Sequence, residues 1–160
     1  MVGFKIRTKA DDIVSCRKYP GLGQAGPQVD ESEGANHNAV LQDTEHPGYR
    51  HIIIDPQVTR DLTSVSATVG SVRGNVTSSW SHEPGVITLH VDIPVNSTAT
   101  VSIPQDPEMT DITVHEGGQI VWEKGAFMAD DAGVTAGKMD GKRVVFEVGS
   151  GHYTFRLTGE

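Results

Sequence analysis

The chain has 160 residues and 17.2 kDa, with 36% hydrophobic and 21% charged residues, which fits one globular domain and is too short for two of common size. Its 18 glycines and 8 prolines signal many turns, and a net charge of −8 with 13 scattered Lys and Arg excludes a surface that tracks nucleic-acid phosphates. Cys16 is the single cysteine, which excludes an intrachain disulfide and a thiolate metal cluster.

The first seven residues, Met1 to Arg7, lack the apolar core of a signal peptide, and no segment approaches a membrane span, so the expected location is the cytoplasm. The sequons at Asn75 and Asn96 matter only in a secretory compartment. Residues 1–43 hold a short Phe4-Lys5-Ile6 run, then Tyr19-Pro20-Gly21, Gly26-Pro27 and the polar stretch Asp30 to Gly34. No period of 2 or 3.6 survives there, and so few apolar side chains cannot offset the entropy of ordering. An irregular lead-in is expected, with a domain over 44–160.

From His46-Pro47-Gly48-Tyr49 the pattern changes. Arg50 to Ile54 is a β-branched run stopped by Asp55-Pro56, and its three isoleucines suggest burial on both faces. Val65, Ala67 and Val69 alternate with Ser64, Ser66 and Thr68, and Val76, Ser78 and Trp80 alternate with Thr77, Ser79 and Ser81, which predicts a hairpin. Glu83-Pro84-Gly85 then turns the chain into Val86 to Ile93, extending a meander. Ile87, Leu89, Val91 and Ile93 share a dry face; after Pro94-Val95-Asn96, so do Ala99, Val101 and Ile103. Those two runs read as paired strands around a turn.

After Pro104 come a loop, a short strand at Ile112 to Val114, a turn at Glu116-Gly117-Gly118, and a strand at Gln119 to Glu123 with Ile120 and Trp122 on one face. Gly125 to Gly141 carries little pattern and reads as a long loop. Arg143 to Val148 and His152 to Leu157, flanking Gly149-Ser150-Gly151, form the clearest hairpin signal, with His152, Thr154 and Arg156 facing outward. Eight or nine short strands with no amphipathic helix predict an all-β fold, a two-sheet antiparallel sandwich of jelly-roll kind; an Ig-like Greek key is the alternative.

Chemistry is hard to find in the sequence. Glycoside hydrolysis needs two carboxylates flanking one bond, and the densest acidic pair beyond the lead-in, Asp130-Asp131, is adjacent and reads as solvated charge. None of the seven histidines sits in an H-x-x-x-H or H-E-x-x-H frame, and there is no nucleophile elbow, P-loop or dinucleotide fingerprint. No catalytic residue, metal ligand or cofactor is assigned. Sugar-binding sandwiches present exposed rings for pyranose stacking, but Trp80 and Trp122 fall in line with apolar alternation and read as core. Tyr49, before the first strand, reads as exposed and joins His152 and Arg156 as the candidate carbohydrate-binding residues.

Four stretches in order carry a resemblance: Pro47-Gly48-Tyr49-Arg50-His51-Ile52-Ile53-Ile54 with Pro56-Gln57; Gly74 with Ser78-Ser79-Trp80; Ile93-Pro94-Val95-Asn96-Ser97-Thr98-Ala99-Thr100-Val101 with Pro104; and Glu147-Val148-Gly149-Ser150-Gly151-His152-Tyr153-Thr154-Phe155. Together they resemble the C-terminal β-sandwich domain of bacterial α-L-rhamnosidases, over about residues 44–160. Where that family tends to be Pro-Gly-rich with a tryptophan, this chain has Val58 to Ser64. In those enzymes an (α/α)-barrel supplies the acid and base for inverting hydrolysis, and the 160 residues contain no counterpart of it.

The resemblance therefore implies a non-catalytic accessory module, with an α-L-rhamnosidase catalytic domain as its partner, encoded as a truncated product or a separate remnant. A sheet face meant to pack on a barrel is expected to stay apolar, and the absence of such a patch is expected to favour an independent domain. The alternative expectation is a free-standing module that binds a rhamnose-containing glycan. Neither nucleic acid nor membrane is expected as a partner.

Overall fold

The computed structural model of the chain describes residues 3–8, 12–18 and 39–42 as backbone, and 49–58, 62–128 and 133–160 with side chains. Its described strands are β1 (Gly3–Thr8), β2 (Asp12–Lys18), β3 (Ala39–Gln42), β4 (His51–Asp55), β5 (Leu62–Ser71), β6 (Gly74–Glu83) and β7 (Val86–Ile93). They continue as β8 (Thr98–Pro104), β9 (Thr113–Glu116), β10 (Gln119–Glu123), β11 (Ala126–Phe127), β12 (Val134–Asp140), β13 (Arg143–Val148) and β14 (Gly151–Thr158). A nine-stranded sheet runs β1-β2-β5-β6-β7-β14-β9-β10-β11, and a five-stranded sheet runs β12-β13-β8-β4-β3. Among the described pairings all are antiparallel except β4 with β8. The fold is the expected two-sheet sandwich, and no described helix is long and apolar enough to cross a membrane.

Alternation builds the core. Val65, Val76, Trp80, Ile87, Leu89, Val91, Phe155 and Leu157 from the large sheet meet Ile52, Ile54, Val101, Ile103, Val144 and Phe146 from the small one, each at most 2% exposed. Phe146 of β13 stacks on Phe155 of β14 across the two layers, with centroids 5.2 Å apart and planes 9° apart. The meander β5-β6-β7 forms as its alternation requires. Ser71 pairs with Gly74 around a turn at Val72-Arg73, where the Ser71 hydroxyl donates to the Gly74 carbonyl (2.7 Å) and accepts from the Arg73 amide (3.1 Å).

The two most legible turns do something else. β7 pairs with β6 and β14, whereas β8 pairs with β13 and β4, so Pro94-Val95-Asn96 carries the chain from one sheet to the other instead of closing a hairpin. Proline ends the ladder because it has no amide hydrogen, and Asn96 takes a left-handed backbone (φ 61°) that reverses direction. The arch is then tied to the start of β4: the Ser97 hydroxyl donates to the Tyr49 carbonyl at 2.9 Å, and the Thr98 amide donates to the Arg50 carbonyl at 2.9 Å. Gly149-Ser150 is a second arch, since β13 pairs with β12 and β8 while β14 pairs with β7 and β9. Alternation fixes which face of a strand is dry and is silent about its neighbour.

Three further expectations are corrected. Within the stretch read as an irregular lead-in, β1, β2 and β3 are strands; β2 pairs with β5 and β3 with β4, so distant partners supply the hydrogen bonds that the local pattern did not announce. Within Gly125 to Gly141, β11 and β12 are strands; Asp130-Asp131 lies outside the described residues. Gly137 in β12 has no room for a side chain, which explains its weak apolar pattern: a Cβ there would stand 2.6 Å from the Phe127 ring. Finally, the register shifts between Ile120 and Trp122, so Ile120 is 41% exposed while Val121 and Trp122 are both buried.

Candidate functional site

The outer face of the nine-stranded sheet is assembled from rows of polar side chains. In register, Thr77, Asp92 and His152 form one row; Ser79, His90 and Thr154 the next; and Ser64, Ser81, Thr88, Arg156 and His115 a third. The His152 ring hydrogen-bonds the Asp92 carboxylate on the neighbouring strand through Nδ1, and His90 Nδ1 lies 3.0 Å from the Thr154 hydroxyl. His152, Thr154 and Arg156 are exposed, as their places in the alternation require.

Tyr49 is not part of that face. It precedes β4 of the small sheet, takes a left-handed backbone (φ 53°), and its side chain is half-buried against the core, which corrects the expectation of an exposed ring. The three candidate carbohydrate-binding residues therefore divide between the two sheets. Trp80 and Trp122 are each 2% exposed, as alternation predicted. No aromatic side chain among the described residues is fully exposed, so the polar rows offer hydrogen bonds and charge but no stacking platform.

On the small sheet a hydrogen-bonded chain crosses three strands. The Thr100 hydroxyl donates to Glu147 Oε1 at 2.8 Å and lies 2.8 Å from His51 Nε2, while His51 Nδ1 lies 2.8 Å from the Thr98 hydroxyl. Because Thr100 spends its proton on Glu147, it accepts from Nε2–H, and in the neutral imidazole Nδ1 accepts from Thr98. This chain ties β4, β8 and β13 together, fixing the register of the parallel β4–β8 pair. Nearby, Arg143 forms an ion pair with Asp55.

Tyr153, in the core strand β14, has a displaced titration. Burial raises its phenol above the ordinary range and the carboxylate of Glu116 adds to the effect, while a backbone hydrogen bond at Gly149 opposes them. Among the described residues no group of three His, Cys, Asp or Glu side chains could hold a metal ion. His82 stands 3.7 Å from Asp106, linking the end of β6 to the loop after β8, where the Asp106 carboxylate also accepts from the Glu108 amide. Among the described residues no nucleophile, base and orienting group converge on a pocket.

Two features were missed by periodicity. Val72 and Val95 are 89% and 71% exposed at turn tips, where polar residues usually stand, and the signal was their position inside Ser71-Val72-Arg73-Gly74 and Pro94-Val95-Asn96. The other is Trp122: core by alternation, it also lines a surface groove and has an indole N–H with no acceptor, neither of which sequence reveals.

Comparison with known proteins places this geometry. Residues 41–118 match the family model described as the bacterial alpha-L-rhamnosidase C-terminal domain. An alpha-L-rhamnosidase of Streptomyces avermitilis is 33% identical over 111 residues, covering 69% of this chain and 9% of that protein. One from Formosa agariphila is 42% identical over 59 residues, 37% of this chain and 6% of that protein. The solved alpha-L-rhamnosidase of Dictyoglumus thermophilum superposes with a TM-score of 0.66 at 27% identity, covering 81% of this chain and 13% of that one. The Streptomyces avermitilis enzyme complexed with L-rhamnose gives a TM-score of 0.58 at 29% identity, covering 79% and 10%. The chain thus spans less than a tenth of the length of the curated relatives it matches. In sequence over residues 41–118, and in fold over most of its length, the chain is similar to the C-terminal domain of bacterial alpha-L-rhamnosidases.

Proposed function

We propose that this chain, from about residue 44 onward, is a non-catalytic accessory module that packs against the catalytic barrel of an α-L-rhamnosidase-type glycoside hydrolase and stabilises it. The observation that carries the reading is the match to a C-terminal domain family whose curated relatives, all named alpha-L-rhamnosidase, devote less than a tenth of their length to the matched region. A domain that small beside so much other chain has surface to be covered.

The exposed apolar residues support contact through an end of the sandwich. Among the described residues both sheet faces are largely polar, in place of the apolar sheet face expected from sequence, which counts toward an independent domain; Val72 and Val95 project from neighbouring turns. Those tips are held together: Arg73 Nη1 donates to the Asn96 carbonyl at 3.2 Å, and a Cβ on Gly74 would stand 3.3 Å from the Pro94 side chain. A rigid apolar tip loses little entropy on docking. The glycan-binding alternative keeps His152 and Arg156 on one exposed face of the large sheet, but Tyr49 lies beside the small sheet with its ring half-buried, which leaves that face without an aromatic platform.

The test is co-expression with an α-L-rhamnosidase catalytic domain lacking its own C-terminal domain. Co-purification and a raised melting temperature of the catalytic domain are expected, and the chain alone should release no nitrophenol from an aryl rhamnoside. Failure to associate with any such domain, or hydrolysis by the purified chain, would sink the reading.

A further inference from the structure

We propose that β12, the outer strand of the five-stranded sheet, pairs antiparallel with β12 of a second copy of this chain about a twofold axis at Met139. Among the described strands β12 is bonded to β13 alone, and Thr135, Ala136, Lys138, Met139 and Asp140 on it are exposed. A free edge is a template for another strand. The turn sets which backbone groups are on offer. Asp140 pairs with Arg143 across the two-residue loop Gly141-Lys142, and such a loop closes on a pair that exchanges hydrogen bonds. Asp140 and Lys138 therefore turn their amides and carbonyls toward β13, while those of Met139 and Gly137 point away from it. Neither Met139 nor Gly137 finds a backbone partner elsewhere among the described residues.

Side chains choose the occupant and the register. Lys138 and Asp140 share one face of β12, opposite to Gly137 and Met139, and neither is in an ion pair among the described residues. With the axis at Met139, Lys138 stands directly opposite Asp140 of the second copy, and Asp140 opposite its Lys138, so one strand complements itself twice. Moving the axis to Lys138 sets Lys138 against Lys138. Moving it to Gly137 sets the two charges against Ala136 and Val134 and runs into the bulge between those residues. The chosen register also pairs Met139 with itself, so the two backbones exchange the hydrogen bonds that each leaves open there. Met139 is 41% exposed and lines a groove of about 690 Å³ with Ile112 and Trp122, so the two thioether chains meet over surface that is otherwise wet. Arg143, beside the β12–β13 turn, pairs with Pro104, at the far end of β8 from the Val95 tip, so this contact and the docking reading can fail independently.

Pairing is confined to the few residues between bulge and turn, so a weak dimer is expected. Sedimentation equilibrium of the full-length chain up to about 1 mM should show a monomer–dimer equilibrium with Kd of about 100 µM. Lys138→Asp and Asp140→Lys each set like charges opposite one another and are each expected to weaken the dimer at least tenfold. An equimolar mixture of the two single variants, and the double variant Lys138→Asp with Asp140→Lys, bring opposite charges together again and should regain the original affinity within about threefold. Should a charge variant not fold, Met139→Lys places like charges at the axis and is expected to abolish the dimer. A monomer at about 1 mM, a dimer indifferent to the single variants, or no recovery in either the mixture or the double variant overturns the proposal. A dimer abolished by Val72→Asp with Val95→Asp and untouched by changes in β12 also overturns it, moving the contact to the tips.

Discussion

Gly137 shows how much a single missing side chain can decide. A Cβ there would stand 2.6 Å from the Phe127 ring and 3.0 Å from the Phe146 ring, so Gly137→Ala forces two aromatic rings to shift. The expected loss is about 1–3 kcal/mol, read from the denaturant midpoint at unchanged slope. Phe146 and Phe155 form the stack at the centre of the sandwich, and truncating Phe155 to alanine is expected to cost about 3–5 kcal/mol. Tyr153 carries a pH dependence. Its folded pKa is raised by burial and by Glu116, so its neutral form is favoured in the native state. Between about pH 10 and the higher folded value the unfolded chain binds fewer protons, so this contribution is complete below about pH 10 and is lost as pH rises through the folded pKa. Tyr153→Phe removes that dependence, which urea titrations at successive alkaline pH values can measure. At this scale the sequence was informative where burial follows alternation, as for Trp80. It was uninformative for Tyr49, whose half-buried ring depends on a core assembled from strands far away in the chain.

Among elements, the instructive cases are the two arches. The runs on either side of Pro94-Val95-Asn96 and of Gly149-Ser150-Gly151 have the alternation of paired strands, yet each run joins a different sheet. In nuclear Overhauser spectra, Val91 is expected to show cross-strand contacts with Tyr153 and Ser78, its partners in register, and none of the backbone contacts with β8 that a hairpin would give. The hydrogen-bonded chain through Thr98, His51, Thr100 and Glu147 joins β4, β8 and β13. Thr100→Val removes its central hydroxyl at nearly constant volume and is expected to cost about 1–2 kcal/mol, with Thr135→Val, on the edge strand β12, costing less. A hairpin and an arch have the same local alternation; what separates them is whether the second strand finds its hydrogen bonds beside the first or across the core.

For the whole molecule, the docking reading makes a separable prediction. Val72→Asp with Val95→Asp changes two exposed tips, so the chain's own stability should move by about 0.5 kcal/mol or less, while its stabilisation of a partner catalytic domain should fall sharply. Equal loss of both would contradict docking through that end. By itself the sequence determined the fold class, the dry face of most strands, the burial of both tryptophans and the family that the sandwich resembles, because these follow from period-2 patterning and local motifs. Only the tertiary structure decided which strands are neighbours, that segments of residues 1–43 and 125–141 are strands, that Tyr49 belongs to a different sheet from His152 and Arg156, and that Trp122 borders a groove. The physical reason is the same throughout: side-chain orientation along a strand is set by its own backbone, whereas pairing, enclosure and unpaired donors depend on partners distant in sequence.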